Sequence, residues 1–359
     1  MTKREVQKAM KRGLGRGILA VRENPDRYRD LVLWACGRNL AFDTQCEGTR
    51  VWYIYQLLSY YPDRETFRDP VIQKLRKATP RVCWNMQYYS ELLAFFAEDG
   101  DQTAEDALWD KYAELLRKLK KHRGNSWSKN DTVFCFSLIC LALSRDNAAY
   151  CKIAQDIGNL FLSGQCDVDD FEWLYKSRPR GMNAFLKRKA PSSEELSAFL
   201  TAFDDLERER ASSAADQQER LFAADQQKRL FAEDSPADDP ESVLFKTIEN
   251  YQPEDESFLR NALLGLQIDY AERTHWHGLH MEVLDLFDSK SGVRKPPKTL
   301  LPIIYESTLC SCCREYALYY MGKHRMISDP MWEEMLYDSN EDIRTMARQH
   351  FRRLEKRRS

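Results

Sequence analysis

Six histidines and ten cysteines are spread through 359 residues, and one group of them has metal-ligand chemistry. His275, His277 and His280 form His-x-His-x-x-His, and Cys310, Cys312 and Cys313 follow further along. Imidazole nitrogen and thiolate sulfur suit zinc, and four such ligands complete a tetrahedron. On helices, His277 and His280 could share one face and Cys310 and Cys313 another. The histidine spacing is not that of a standard structural zinc site, however. The cysteines read as Cys-x-Cys-Cys and not as Cys-x-x-Cys. A polar helix start beside small buried residues accounts for the same letters and is preferred. No metal or other cofactor is therefore expected, with His275, His277, His280, Cys310 and Cys313 kept as a secondary zinc set.

A second group lies in AFDTQCEGTRVWYIYQLLSYYP, residues 41–62. Asp43, Glu47 and Arg50 precede or enter a helix that carries Trp52 and Tyr55. They could form a polar pocket with aromatic walls. The plainer account is a capping box, Thr44 with Glu47, opening one helix that runs to Tyr61. Pro62 then stops it. Val51, Tyr55 and Leu58, continued by Ile54, Leu57 and Tyr61, make a wide apolar stripe that faces a core.

A third group is basic. Arg344, Arg348 and Arg352 recur every four residues, so a helix would align them as one stripe able to meet phosphates. Clusters at 117–123 and 178–189 could extend it. Against this, the net charge is −2, and the region around 203–257 is acidic. Nucleophilic catalysis finds no support: Gly-x-Ser-x-Gly, His-Glu-x-x-His and a phosphate loop are all missing. Gly13-Leu14-Gly15-Arg16-Gly17 has neither a strand before it nor Gly-Lys-Ser/Thr after it. A turn or a close helix crossing suits it better.

The elements that must position these groups are helices. Glycine (14) and proline (13) are too scarce for the many turns of an all-β chain. An apolar fraction of 43% supplies a core, and 31% charged residues suit long solvated helix faces. Residues 103–122 are amphipathic, with Leu108, Tyr112, Leu115, Leu116 and Leu119 facing in. Asp69-Pro70, Asp239-Pro240 and Asp329-Pro330 each look like a helix start. The longest nearly apolar run, 133–143, is too short to span a bilayer. Cys135, Cys140 and Cys151 sit inside helical patterns and read as reduced, buried thiols of a cytoplasmic protein. Residues 215–232 repeat a nonapeptide, ADQQERLFA then ADQQKRLFA. A nine-residue period does not hold one helix face, so 203–240 is expected to be a charged, partly helical linker. It would separate helical regions at 1–202 and 241–359.

Ser328-Asp329-Pro330 opens the short helix MWEEMLYD. A polar turn follows at 338–342, then Ile343-Arg344-Thr345-Met346-Ala347-Arg348 and Leu354. This segment, 328–354, resembles a HEAT-type repeat, in which an Asp-containing turn leads into a hydrophobic-Arg-x-x-Ala helix. The resemblance implies an all-α, irregular α-solenoid of stacked helix hairpins whose concave face binds a macromolecule. No clean period of ~40–47 residues accompanies it. Similar helical-repeat proteins include the alkylation-class DNA-repair glycosylases. Trp52, Trp84, Trp109 and Asp110 are of the types those enzymes use, but no motif aligns them, so no catalytic residue is carried over. The expected function is a non-catalytic, protein-binding scaffold or adaptor. A nucleic-acid-binding or repair-type protein is the alternative.

Overall fold

The computed structural model describes residues 1–121, 127–144, 146–224, 240–265, 273–288 and 291–358. Their regular elements are all helices, with no strand among them. The helices of the first stretch are α1 (Lys3–Arg12), α2 (Gly15–Glu23), α3 (Pro25–Cys36), α4 (Thr44–Glu47) and α5 (Val51–Leu58). Then come α6 (Glu65–Lys77), α7 (Cys83–Glu98), α8 (Gln102–Lys121), α9 (Trp127–Leu143), α10 (Asn147–Leu162), α11 (Glu172–Lys176), α12 (Met182–Lys189) and α13 (Glu194–Ala224). The last group is α14 (Pro240–Glu249), α15 (Glu256–Gly265), α16 (Arg273–Asp285), α17 (Leu301–Ser307), α18 (Ser311–Lys323), α19 (Asp329–Met335) and α20 (Glu341–Arg358).

Contacts divide the chain into two compact units. One joins Met1–Arg64 to Asp234–Ser359, and the other is Glu65–Glu233. The chain thus leaves its first unit, builds the second and returns. The sequence reading drew its regions in linear order, 1–202 and 241–359, whereas the packing interleaves them. The first nonapeptide copy continues α13 to Ala224, and residues 225–232 of the second copy lie outside the described residues.

The first unit depends on close backbone approach. Gly13 ends α1 in the left-handed region at φ 73°, and its carbonyl accepts from the Ser339 backbone N–H at 2.8 Å. A Cβ on Gly15 would lie 1.9 Å from the Glu334 carbonyl oxygen. The glycine run is therefore the close helix crossing that its letters suggested, here between α2 and α19. The apolar core of this unit takes residues from α1 and from α14 to α20, among them Leu259, Leu279, Val283, Ile304, Leu318, Met335 and Ile343. The expected stripe of α5 is buried: Val51, Ile54, Tyr55, Leu57 and Leu58, with Tyr61 beyond its end.

The helix expected over 44–61 is broken. α4 stops at Glu47, Gly48 takes φ 65°, and α5 restarts at Val51. The Thr44–Glu47 capping box does not form in that way. Glu47 turns back to accept from the backbone N–H groups of Phe42 and Asp43. Similarly, Pro70 does not open a helix but lies inside α6.

The second unit has an aromatic core. Tyr175 and Phe203 stack with centroids 4.2 Å apart, and Phe136, Phe161, Phe171 and Phe199 join them edge to face or in parallel. Leu108, Tyr112, Leu115 and Leu119 of α8 are buried as their spacing predicts. Lys111 is also buried. Its Nζ donates to the carbonyls of Ala78 (2.8 Å) and Arg76 (3.4 Å) and pairs with Glu114 at 2.9 Å. It thereby satisfies carbonyls at the end of α6, where a cation also complements the helix dipole. Among the described residues, no helix is long and apolar enough to cross a membrane.

Candidate metal centre

Three soft ligands meet in the first unit. His277 projects from α16, Cys310 is the N-cap of α18, and Cys313 lies in the first turn of α18. One ligand atom from each lies within 4.8 Å of the others. Cys313 Sγ is 3.2 Å from His277 Nδ1. Cys310 and Cys313 are buried and His277 is half-buried.

Local backbone chemistry explains how the turn holds this shape. Thr308 Oγ1 accepts from the Cys310 backbone N–H at 3.2 Å, which fixes the approach to α18. Cys310 is extended at φ −77°, ψ 123°, the usual conformation of a helix N-cap. The reading of these letters as Cys-x-Cys-Cys hid one point: Cys310 and Cys313, taken as the outer pair, are themselves Cys-x-x-Cys. The thiols of Cys312 and Cys313 lie against the Cys310 sulfur and favour its thiolate. They hold its pKa far below the ordinary thiol value, while both neighbours are pushed up.

His280 does not join this trio. It is buried, its Nε2 lies 3.4 Å from Ser307 Oγ, and burial pushes its pKa down to about 4. The side chain of His275 lies outside the described residues. Of the five residues in the zinc set, the structure thus brings together His277, Cys310 and Cys313.

The second sequence-derived group sits beside the first, a proximity that linear spacing does not reveal. The Phe42 ring packs on His277 with centroids 5.4 Å apart. Glu47 Oε2 accepts from the Ser311 backbone N–H at 3.3 Å, placing a carboxylate at the N-terminus of α18. Glu47 and Arg50 pair at 3.1 Å, each side chain 2% exposed. Arg50 also donates to the carbonyls of Lys11 (2.5 Å) and Leu309 (2.6 Å). Burial pushes the Glu47 carboxyl up, but Arg50 and the hydrogen bonds from Ser311 and Asp43 hold it below its ordinary value overall. Glu47 and Arg50 therefore form a clamp that ties the end of α1 and the 308–311 turn together. Both side chains are 2% exposed, and the carboxylate matches the dipole of α18.

Trp52 and Tyr55 are engaged as well. Arg344 stacks 3.6 Å over the Trp52 ring, and Tyr55 accepts from Arg64 at 3.2 Å. Arg344 is buried and donates to the carbonyls of Asp338 (2.6 Å) and Ser339 (2.9 Å) while pairing with Glu341. The expected basic stripe therefore loses its first member to the hairpin between α19 and α20. Arg348 is half exposed and pairs with Glu341, and Arg352 is exposed.

Sequence reasoning missed a fully buried ion pair. Arg314 of α18 grips Asp338 through Nε and Nη2, both at 2.8 Å, with side chains 0% and 1% exposed. The Asp of the polar turn was visible as a signal; its partner, inside an unremarkable helix, was not. The glycosylase-like residue types are divided between the two units. Trp52 is in the first unit, while in the second Asp110 is exposed and faces Arg76 at 3.8 Å. Trp109 carries Lys152 over its ring at 4.1 Å.

Compared with protein-family models, curated proteins and solved structures, the chain matches none. The HEAT-type likeness of 328–354 rests on its residues alone.

Proposed function

We propose that this chain is a protein-binding helical scaffold or adaptor without catalysis of its own, arranged as an irregular α-solenoid of hairpins. The observation that carries the reading is Trp173. It stands 76% exposed on α11, after the charged Glu172 and before the buried Leu174 and Tyr175 and the charged Lys176. The second unit's aromatic core holds α11 from beneath through the Tyr175–Phe203 stack. An exposed tryptophan beside charged residues on a packed aromatic core has the composition of a binding hot spot. Sequential packing of α6 on α7, α7 on α8, α17 on α18 and α19 on α20 supports the hairpin arrangement within each unit. The free thiols suit a reducing, cytoplasmic setting.

The test compares proteins captured by the intact chain and by Trp173→Ala, each folded by circular dichroism. A saturable partner bound by the first and weakened by the second at least tenfold, about 1.4 kcal/mol, supports the reading. Equal capture by both removes Trp173 from it. The nucleic-acid alternative is tested with Arg348→Glu/Arg352→Glu, because both side chains reach solvent. Tight, steeply salt-dependent DNA or RNA binding lost in that variant would replace the scaffold reading.

A further inference from the structure

We infer that His277, Cys310 and Cys313 hold one zinc ion, cross-linking α16 to the start of α18. This stands independently of the protein-binding proposal.

Soft thiolates with one imidazole select zinc over hard cations. Zinc with sulfur at about 2.3 Å and nitrogen at about 2.1 Å places tetrahedral ligand atoms roughly 3.4–3.8 Å apart. The observed set, with Cys313 Sγ and His277 Nδ1 at 3.2 Å and all three atoms within 4.8 Å, needs only small side-chain adjustments to reach that geometry. The three groups come from two helices, so their meeting is a product of tertiary packing and not of one local run. The surroundings fix them further. Phe42 packs on the His277 ring, Thr308 holds the Cys310 backbone, and Arg50 holds the carbonyl of Leu309.

Cys312 lies in the same turn, half-buried, one residue before Cys313. The fourth position of the tetrahedron is left to Cys312 or to water. A closed set of three cysteines and one histidine is a structural zinc site, whereas a water in that corner would leave an open one. Binding releases the thiol protons to solvent as the thiolates form, so occupancy falls with acidity.

The experiment uses the full chain, purified and kept under thiol reductant, and then titrated with cobalt(II) and with zinc(II). About one equivalent of cobalt is expected, with thiolate charge-transfer bands and the intense visible bands of a tetrahedral site, both abolished by one equivalent of zinc. Cys310→Ser and His277→Ala should each lower the metal affinity at least about a hundredfold. Cys151→Ser, in the second unit, should bind as the parent does. Cys312→Ser separates a closed set from an open one: a tenfold or greater loss of affinity places Cys312 in the fourth position, and unchanged affinity leaves that position to water. If a ligand variant fails to fold, the cobalt spectrum of the parent still decides. Less than about a tenth of an equivalent bound by the reduced parent, or a Cys310–Cys313 disulfide that persists in place of metal, overturns the site.

Discussion

Replacing Arg314 with methionine should be among the most damaging single changes in the first unit. The arginine and Asp338 are 0% and 1% exposed, and two parallel bonds of 2.8 Å join them. Methionine keeps most of the side-chain volume, so the cavity contribution is small. What remains is a carboxylate with no cation in a buried site, a change that typically costs about 3–5 kcal/mol. Asp338 still accepts from the Asn340 backbone N–H at 2.9 Å, which places the expected loss near the lower end, about 3 kcal/mol. Asp338→Asn keeps that acceptor and removes the charge. In the double variant Arg314→Met/Asp338→Asn neither buried charge is left, and it should recover about 2 kcal/mol of the sum of the single losses. Urea unfolding of all four proteins, followed by far-ultraviolet circular dichroism, gives the cycle. A loss below 1 kcal/mol in Arg314→Met, or a coupling within about 0.5 kcal/mol of zero, would refute the reasoning.

Other perturbations follow from single contacts. Gly15→Ala should cost about 1–3 kcal/mol, since its Cβ would meet the Glu334 carbonyl oxygen at 1.9 Å and backbone must move; an unchanged melting temperature would contradict the crossing. Lys111→Met should cost about 1–3 kcal/mol by leaving the Ala78 and Arg76 carbonyls unpaired, read by thermal melting. His280 titrates near 4 when folded against an ordinary 6.5, so the unfolded chain binds the extra proton first. Its contribution is complete above pH 6.5 and falls by about 3 kcal/mol as the pH drops to 4. His280→Asn should flatten that part of the stability profile, and an unaltered slope would count against it.

Much of the helical pattern was legible because 3.6-residue periodicity and helix stops are local properties. The buried faces of α5 and α8 follow from it. So does the glycine run at 13–17, where missing side chains permit backbone contact whatever the partner is. The sites were legible only as residue types. Arg50 finds its acceptors at Lys11 and Leu309, which no spacing rule relates to it, and the same holds for Arg314 and Asp338. Arg344 misled because a four-residue period marks one helix face but does not say whether that face sees solvent. Its place one turn after the polar residues 338–342 lets it reach their carbonyls instead. Gly48 could equally have continued a helix; its φ of 65° shows that the chain turns there, and Glu47 is freed to act on α18.

Glu47 and Arg50 position the turn that carries Cys310 and Cys313. Hydrogen exchange on the full chain and on Arg50→Met tests it most directly. Arg50 joins three segments, so the variant should lose protection together at the end of α1, across 42–50 and across 308–313. Faster exchange confined to the residues around position 50, with 308–313 as protected as before, would contradict the clamp.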